Sequence, residues 1–166
     1  MQKKLILVRH AKASYENTLL QDYERPLQKS GIEDIKKIGQ YLKLKQHIPD
    51  YILTSGAQRT LESAKFLSHL LFDQPIVLHK NRIIYEADVN QMIEIITCFD
   101  NQYNTVMIVG HNPTMTFLNN QISNANIDYV PTSGTAIIKF RIEKWKELKN
   151  PGKLIEFIYP KKLNLN

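Results

Sequence analysis

"LILVRHAKAS", residues 5–14, begins with four apolar residues and runs into Arg9 and His10 without a break. A short apolar run of this kind reads as a strand buried on both faces. Leu5–Val8 therefore predicts a core strand that carries an arginine and a histidine to one edge of a sheet. "TVMIVG" (105–110) repeats the device, ending on His111, Asn112 and Pro113. "YILT" (51–54) leads to Ser55 and Gly56, with Arg59 entering the helix that follows, and "IVLH" (76–79) reads as a further strand.

Helical patterns separate these strands. "SGIEDIKKIGQYLKLK" (30–45) places Ile32, Ile35, Ile38 and Leu42 at helical spacing, with Ser30 and Glu33 as an expected capping box. "RTLESAKFLSHLLF" (59–72) sets Leu61, Ala64, Phe66, Leu67, Leu70 and Leu71 on an apolar side, and Pro75 is expected to end it. "VNQMIEIITCFD" (89–100) is a further helix, and Pro113 suits the first turn of a short one through Ile122. Two late strands, "TAIIKFRI" (135–142) and "LIEFIY" (154–159), are joined by "KELKNPGK". Strands alternating with helices predict an α/β three-layer sandwich, a mostly parallel sheet with helices on both faces and antiparallel edge strands at the C-terminus. With no repeat, low-complexity tract or linker, residues 1–166 are expected to form a single domain.

Composition narrows the function classes. Hydrophobic residues make up 43% of the 166 and charged residues 23%, as in an ordinary globular protein. The net charge of +6 invites a nucleic-acid reading, but the lysines are scattered through "DIKKIGQYLKLKQ" and "EKWKELKNPGK", and no arginine-rich run occurs. A solvated basic surface that steers anionic substrates is the expectation, with no nucleic acid and no membrane as partner. No apolar stretch approaches a membrane span and no signal-peptide core precedes the first strand, so a cytoplasmic protein is expected. The one cysteine, Cys98 in "MIEIITCF", excludes an intramolecular disulfide and reads as a buried, inert thiol.

Ligands of open α/β sheets bind outside the carboxyl ends of the strands. If the strands are parallel neighbours, Arg9, His10, Arg59 and His111 converge there, with Ser55 and Arg25 of "YERPLQKSG" as further candidates. His47, His69 and His79 lack such a setting and read as structural or surface histidines. Guanidinium groups oppose cation binding, so a metal site does not fit this cluster, and no cofactor is expected. Arginines match phosphate oxygens bidentately, and a helix starting near Pro113 would add backbone donors and a favourable dipole. A histidine held in that setting with an unprotonated nitrogen can attack phosphorus.

These blocks resemble a known family. "LVRHAKAS", "DYERPLQKSG", "TSGAQRTLESA", "IVGHNPTMT" and "PTSGTAIIKF" occur in the order seen in the histidine phosphatase superfamily, which includes the phosphoglycerate mutases. The short chain is similar to the SixA-type phosphohistidine phosphatases. The resemblance implies a phosphoglycerate mutase-like fold and metal-independent phosphoryl transfer through a phosphohistidine on His10. Arg9, Arg59 and His111 would form the phosphate pocket, Arg25 would add the subfamily's extra arginine, and Ser55 would donate from its loop. Ala11 replaces the usual glycine, and its small side chain is expected to keep the backbone amide accessible. Asn17 approximates the mutase asparagine one residue out of register. The general acid would be Glu86 or Asp88 in "RIIYEADVNQ", or neither, since each equally suits a solvated loop carboxylate and Asp88 in particular a helix cap. The chain between Arg59 and His111 is taken up by regular elements, leaving little for a lid. An uncovered pocket suits a phosphorylated protein, a phosphohistidine domain of a signalling or phosphotransfer system. A small phosphorylated substrate such as a sugar phosphate, hydrolysed by a phosphomonoesterase, is the alternative. A non-catalytic phosphate-binding module is a further one.

Overall fold

Leu5, Ile6, Leu7 and Val8 are all buried because β1 (Lys3–Arg9) has a strand on each side. The computed structural model describes residues 2–164. Their order is β1, α1 (Lys29–Leu44), β2 (Tyr51–Thr54), α2 (Gln58–Leu71), β3 (Leu78–Lys80), α3 (Ile83–Glu86) and α4 (Val89–Thr97). Then follow β4 (Thr105–Gly110), α5 (Thr114–Ser123), β5 (Thr135–Phe140), β6 (Lys153–Ile158) and α6 (Pro160–Leu163). One six-stranded sheet runs β3-β2-β4-β1-β5-β6. The first four strands are parallel, and β5 and β6 are antiparallel to their neighbours, as the late pair of strands predicted.

Alternate residues of each strand feed alternate faces. Ile6, Val8, Met107, Val109 and Ile52 pack with Ile35, Ile38 and Leu42 of α1 and Ala64, Leu67 and Leu71 of α2. Leu5, Leu7, Val106 and Ile108 pack on the other face with Ile84 of α3, Met92 and Ile96 of α4, and Met115, Leu118 and Ile122 of α5. No helix among the described residues is long and apolar enough to cross a membrane.

Local expectations needed correction where tertiary contacts overrule local signals. The helix α1 starts at Lys29 rather than beyond Ser30, and Ser30 does not cap it. Its start is set instead by Gln28 N bonding to Lys12 O at 2.9 Å. A Cβ on Gly31 would lie 2.4 Å from that same carbonyl, so only glycine lets the helix abut the Lys12 backbone. The helix α2 stops at Leu71, ahead of Pro75, and β3 begins at Leu78. Cys98, expected to be buried, is exposed, because α4 ends at Thr97 and turns the thiol out of the apolar face.

A charge inside this core has its own account. Lys3 is 1% exposed, and its ammonium donates to Asn101 O (2.7 Å), Tyr103 O (3.0 Å) and Asn104 Oδ1 (2.9 Å). Lys3→Met keeps the apolar stem but leaves those oxygens without their cationic donor. With those part-buried oxygens then short of a donor, the urea midpoint should fall by the equivalent of about 1 kcal/mol, with little change in slope.

Candidate functional site

The parallel register between β1 and β4 pairs Arg9 with Gly110, so the next residues, His10 and His111, leave the sheet side by side. His10 N donates to Gly110 O at 3.1 Å, and the two imidazole centroids lie 5.2 Å apart. Arg59 arrives from the first turn of α2, with its Nε 3.3 Å from His10 Nε2 and its Nη2 3.4 Å from His111 Nδ1. His10, Arg59 and His111 are all buried. Around them is a cavity of about 350 Å³ that Arg9 and Arg25 also line, with Lys12, Ala13, Tyr15, Asn112 and Thr132 on its walls. A larger cavity of about 480 Å³ beside Tyr51, Lys80 and Phe99 gathers no comparable cluster of charge.

Hydrogen bonds fix the state of each imidazole. His10 Nδ1 faces the Ala11 carbonyl at 2.7 Å, which can only accept, so Nδ1 carries the proton and Nε2 keeps its lone pair. His111 Nε2 lies 2.7 Å from Ser55 Oγ, which lies 3.0 Å from Thr60 Oγ1, whose own hydroxyl donates to Ala57 O. The only consistent direction runs from His111 Nε2–H through Ser55 to Thr60, leaving His111 Nδ1 as an acceptor toward Arg59. Ser55 thus holds the histidine instead of facing the cavity, a change from the expected loop donor. Burial lowers the His10 pKa to about 4, helped by the charges of Arg59, Arg9 and Arg25 and opposed by the Ala11 hydrogen bond. Burial lowers His111 to about 3, with His10, Arg59 and Arg9 adding to the effect and Asp22 opposing it. Both rings are neutral near pH 7.

The surrounding backbone is tightly held. Ser133, at φ 62°, donates its N–H to the carbonyls of both Arg9 and His10 at 3.1 Å. The Ala11 amide, expected to stay accessible, donates to Ser63 Oγ at 2.9 Å, and Ala11 is fully buried. A small residue is required there for packing. The first-turn amides of α5 are likewise engaged: Met115 N bonds His111 O, and Thr116 N bonds Asn112 Oδ1. That helix offers the cavity its dipole rather than those two donors.

Of the remaining candidates, Arg25 reaches the cavity, with Nε on Ser14 O at 3.0 Å and its guanidinium 3.6 Å from the Tyr15 ring centroid. Arg9 Nη1 donates to Tyr129 OH (2.6 Å) and Val130 O (3.2 Å), while its buried Nε has no partner among the described residues. Glu86 is not brought in. It is exposed at the end of α3 and shares no hydrogen bond or ion pair with the cluster, because successive helical residues point about 100° apart and Tyr85 takes the inward position. Asp88 caps α4 in a capping box with Gln91. Asn17 accepts from Leu19 N in an exposed turn.

The residue missing from the sequence reading is Asp22, on a 3₁₀ turn over 22–24. Its carboxylate takes Arg25 Nη1 and Arg59 Nη2 at 2.9 Å each, and the Tyr85 hydroxyl as well. Those bonds, Tyr85's foremost, hold its pKa well below the usual carboxylate range. Tyr23 OH on the same turn donates to Ser55 O at 3.1 Å. Tyr23 OH would lie 2.4 Å from a Cβ on Gly56, whose φ of +86° also favours glycine. The block "DYERPLQKSG" is matched on its arginine-proline-leucine core, which by itself assigns no role to Asp22.

The depressed histidine pKa values have a measurable consequence. Unfolded histidines titrate near 6.5, so from about pH 6.5 down toward 4 the unfolded chain binds more protons than the folded one. Stability should therefore fall as pH falls through that window. By NMR, the His10 and His111 ring resonances should stay constant between pH 5.5 and 7.5; a midpoint near 6.5 for either would contradict the geometry.

A family model for the "Histidine phosphatase superfamily (branch 1)" matches residues 5–82. The chain is 28% identical to an uncharacterised chloroplastic protein of Arabidopsis thaliana, over 92% of this chain and 74% of that one. It is 26% identical to a SixA of Agrobacterium tumefaciens, assigned as a phosphohistidine phosphatase, with a TM-score of 0.80 over 95% of this chain and 98% of the other. The protein histidine phosphatase SixA complexed with tungstate superposes with a TM-score of 0.82 at 16% identity, covering 96% and 99%. The chain thus matches the histidine phosphatase superfamily in sequence through β3, and over nearly its whole length it shares the fold of the SixA-type structures.

Proposed function

We propose that this phosphatase works through a phosphohistidine formed on His10 and that its substrate is phosphohistidine on a protein surface. The observation that carries the reading is the His10 imidazole itself: Nδ1 is tied to the Ala11 carbonyl, and the lone pair on Nε2 points toward Arg59. That is the state a phosphorus nucleophile requires. His10 Nε2 attacks phosphorus, the bond to the leaving group breaks, and a water then displaces phosphate from Nε2, returning the lone pair to His10. Arg9, Arg59 and His111 meet the charge on the transferring oxygens, with Arg25 farther out. Four cations and no carboxylate line the cavity, a setting for a dianionic phosphoryl group.

Two features favour phosphohistidine over a phosphate ester. No lining carboxylate is available to protonate a leaving alkoxide, since Glu86 lies outside the cluster and Asp22 is held ionised. A P–N bond to imidazole is labile and tolerates that lack, whereas an ester loses the roughly 10²–10⁴-fold help of an acid. The mouth is also open, with Tyr15 77% and Tyr129 59% exposed beside Arg25 and Arg9. Exposed aromatics beside cationic groups suit a macromolecular partner.

Brief incubation with phosphorylated protein should leave acid-labile phosphate on His10, and His10→Ala should abolish both label and turnover. Arg59→Ala should lower kcat by about 10²–10³. Turnover of a phosphohistidine peptide should exceed that of a sugar phosphate by at least about 10² in kcat/KM. Equal or better hydrolysis of the sugar phosphate would move the reading to a small-molecule phosphomonoesterase. Survival of turnover in His10→Ala would remove the mechanism.

A further inference from the structure

Arg59 has two sides, and only one of them can serve a substrate. Its Nε and Nη2 face His10 Nε2 and His111 Nδ1 at 3.3 and 3.4 Å. Those contacts are long, and a phosphoryl group entering between the imidazoles would replace them. What holds the guanidinium once substrate is bound must therefore lie on its other side. There, Asp22 alone supplies two acceptors: its carbonyl takes Arg59 Nη1 at 2.7 Å and its carboxylate takes Nη2 at 2.9 Å.

We infer that Asp22 is a positioning residue, aiming the Nε–Nη2 edge of Arg59 at the space between His10 and His111. The inference rests on the phosphoryl-transfer reading of that pocket and extends it to a residue outside the cavity wall. The other carboxylate oxygen holds Arg25 Nη1 at 2.9 Å, so one side chain sets two guanidinium groups. Tyr85 fixes Asp22 in turn: its hydroxyl donates to Oδ2, and its ring stands edge-on to His111 with centroids 5.3 Å apart. Tyr23, next on the same turn, meets the Tyr85 ring at 5.0 Å and 86° and ties the turn to Ser55 O. The Asp22–Tyr23 turn thereby holds both Arg59 and the loop residue that orients His111.

A stabilising role does not account for this arrangement. The Asp22 side chain is 51% exposed against 9% for Arg59, so solvent reaches the pair from the carboxylate side and screens its contribution to folding. Geometry at a reacting centre is far more sensitive, a displacement of about 1 Å costing about 10²-fold in rate.

The test compares wild type with Asp22→Asn, Tyr85→Phe and the double variant, using steady-state turnover of a phosphohistidine peptide and calorimetric binding of orthovanadate and inorganic phosphate. Asp22→Asn keeps the shape and the backbone carbonyl but removes the charge. It should lower kcat by about 10–100-fold with KM within about threefold, at an unchanged melting temperature. Vanadate, which resembles the five-coordinate transition state, should lose affinity by a larger factor than phosphate. Tyr85→Phe should lower kcat by a few-fold in wild type and by nothing further in the Asp22→Asn background, since both act through one contact. Wild-type kcat in Asp22→Asn, equal weakening of the two oxyanions, tighter vanadate binding or additive losses would each overturn the role. If wild type hydrolyses no phosphorylated substrate, the functional reading fails, and the vanadate-to-phosphate ratio still tests the placement of Arg59 by Asp22.

Discussion

The parallel register of β1 against β4 is the constraint from which the rest of the site follows. It pairs Arg9 with Gly110 and so sets His10 beside His111 at the sheet's end. A slip of one residue would turn Leu5 and Leu7 toward α1 and α2 and exchange the two cores, so the packing of both faces enforces the alignment. The geometry of the histidine pair is thereby stabilised by hydrophobic burial well away from it. Neither histidine needs a contact of its own to be brought to the other.

Within that frame, electrostatics sets the chemistry. Burial, aided by the neighbouring arginines, keeps the two imidazoles neutral, while three arginines and a lysine make the cavity cationic. The same positive charge that would oppose a metal ion suits the dianion that the proposed reaction requires. Asp22 offsets part of it from outside the wall, taking up the rear donors of Arg59 and leaving the front edge turned to the two histidines.

Strand order and sheet-end residues were legible in the sequence because apolar runs ending on polar residues carry both pieces of information. His10, Arg9, Arg59 and His111 were found that way, and the structure gathers them. What was not legible came from irregular segments. Asp22, Lys12 and Thr132 reach the site through loop paths that no periodicity encodes. The choice between Tyr85 and Glu86 turned on one helical step. Ser30 resembled a cap, yet the helix start is fixed by the Lys12 backbone, a contact distant from any local rule. Ala11 was read for what its amide could give a ligand, whereas Ser63 already uses that amide.

The position of β1 has a further consequence for synthesis. Its partners are β4, beginning at Thr105, and β5, beginning at Thr135, and the Ser133 amide that clamps Arg9 and His10 is made just before the latter. On a ribosome adding about 5–20 residues per second, the apolar run Leu5–Val8 waits several seconds for either neighbour. A nascent chain carrying only residues 5–82 holds the first arginine-histidine pair but none of the strands that cover it. The first strand of the sheet is thus made early and gains its neighbours late.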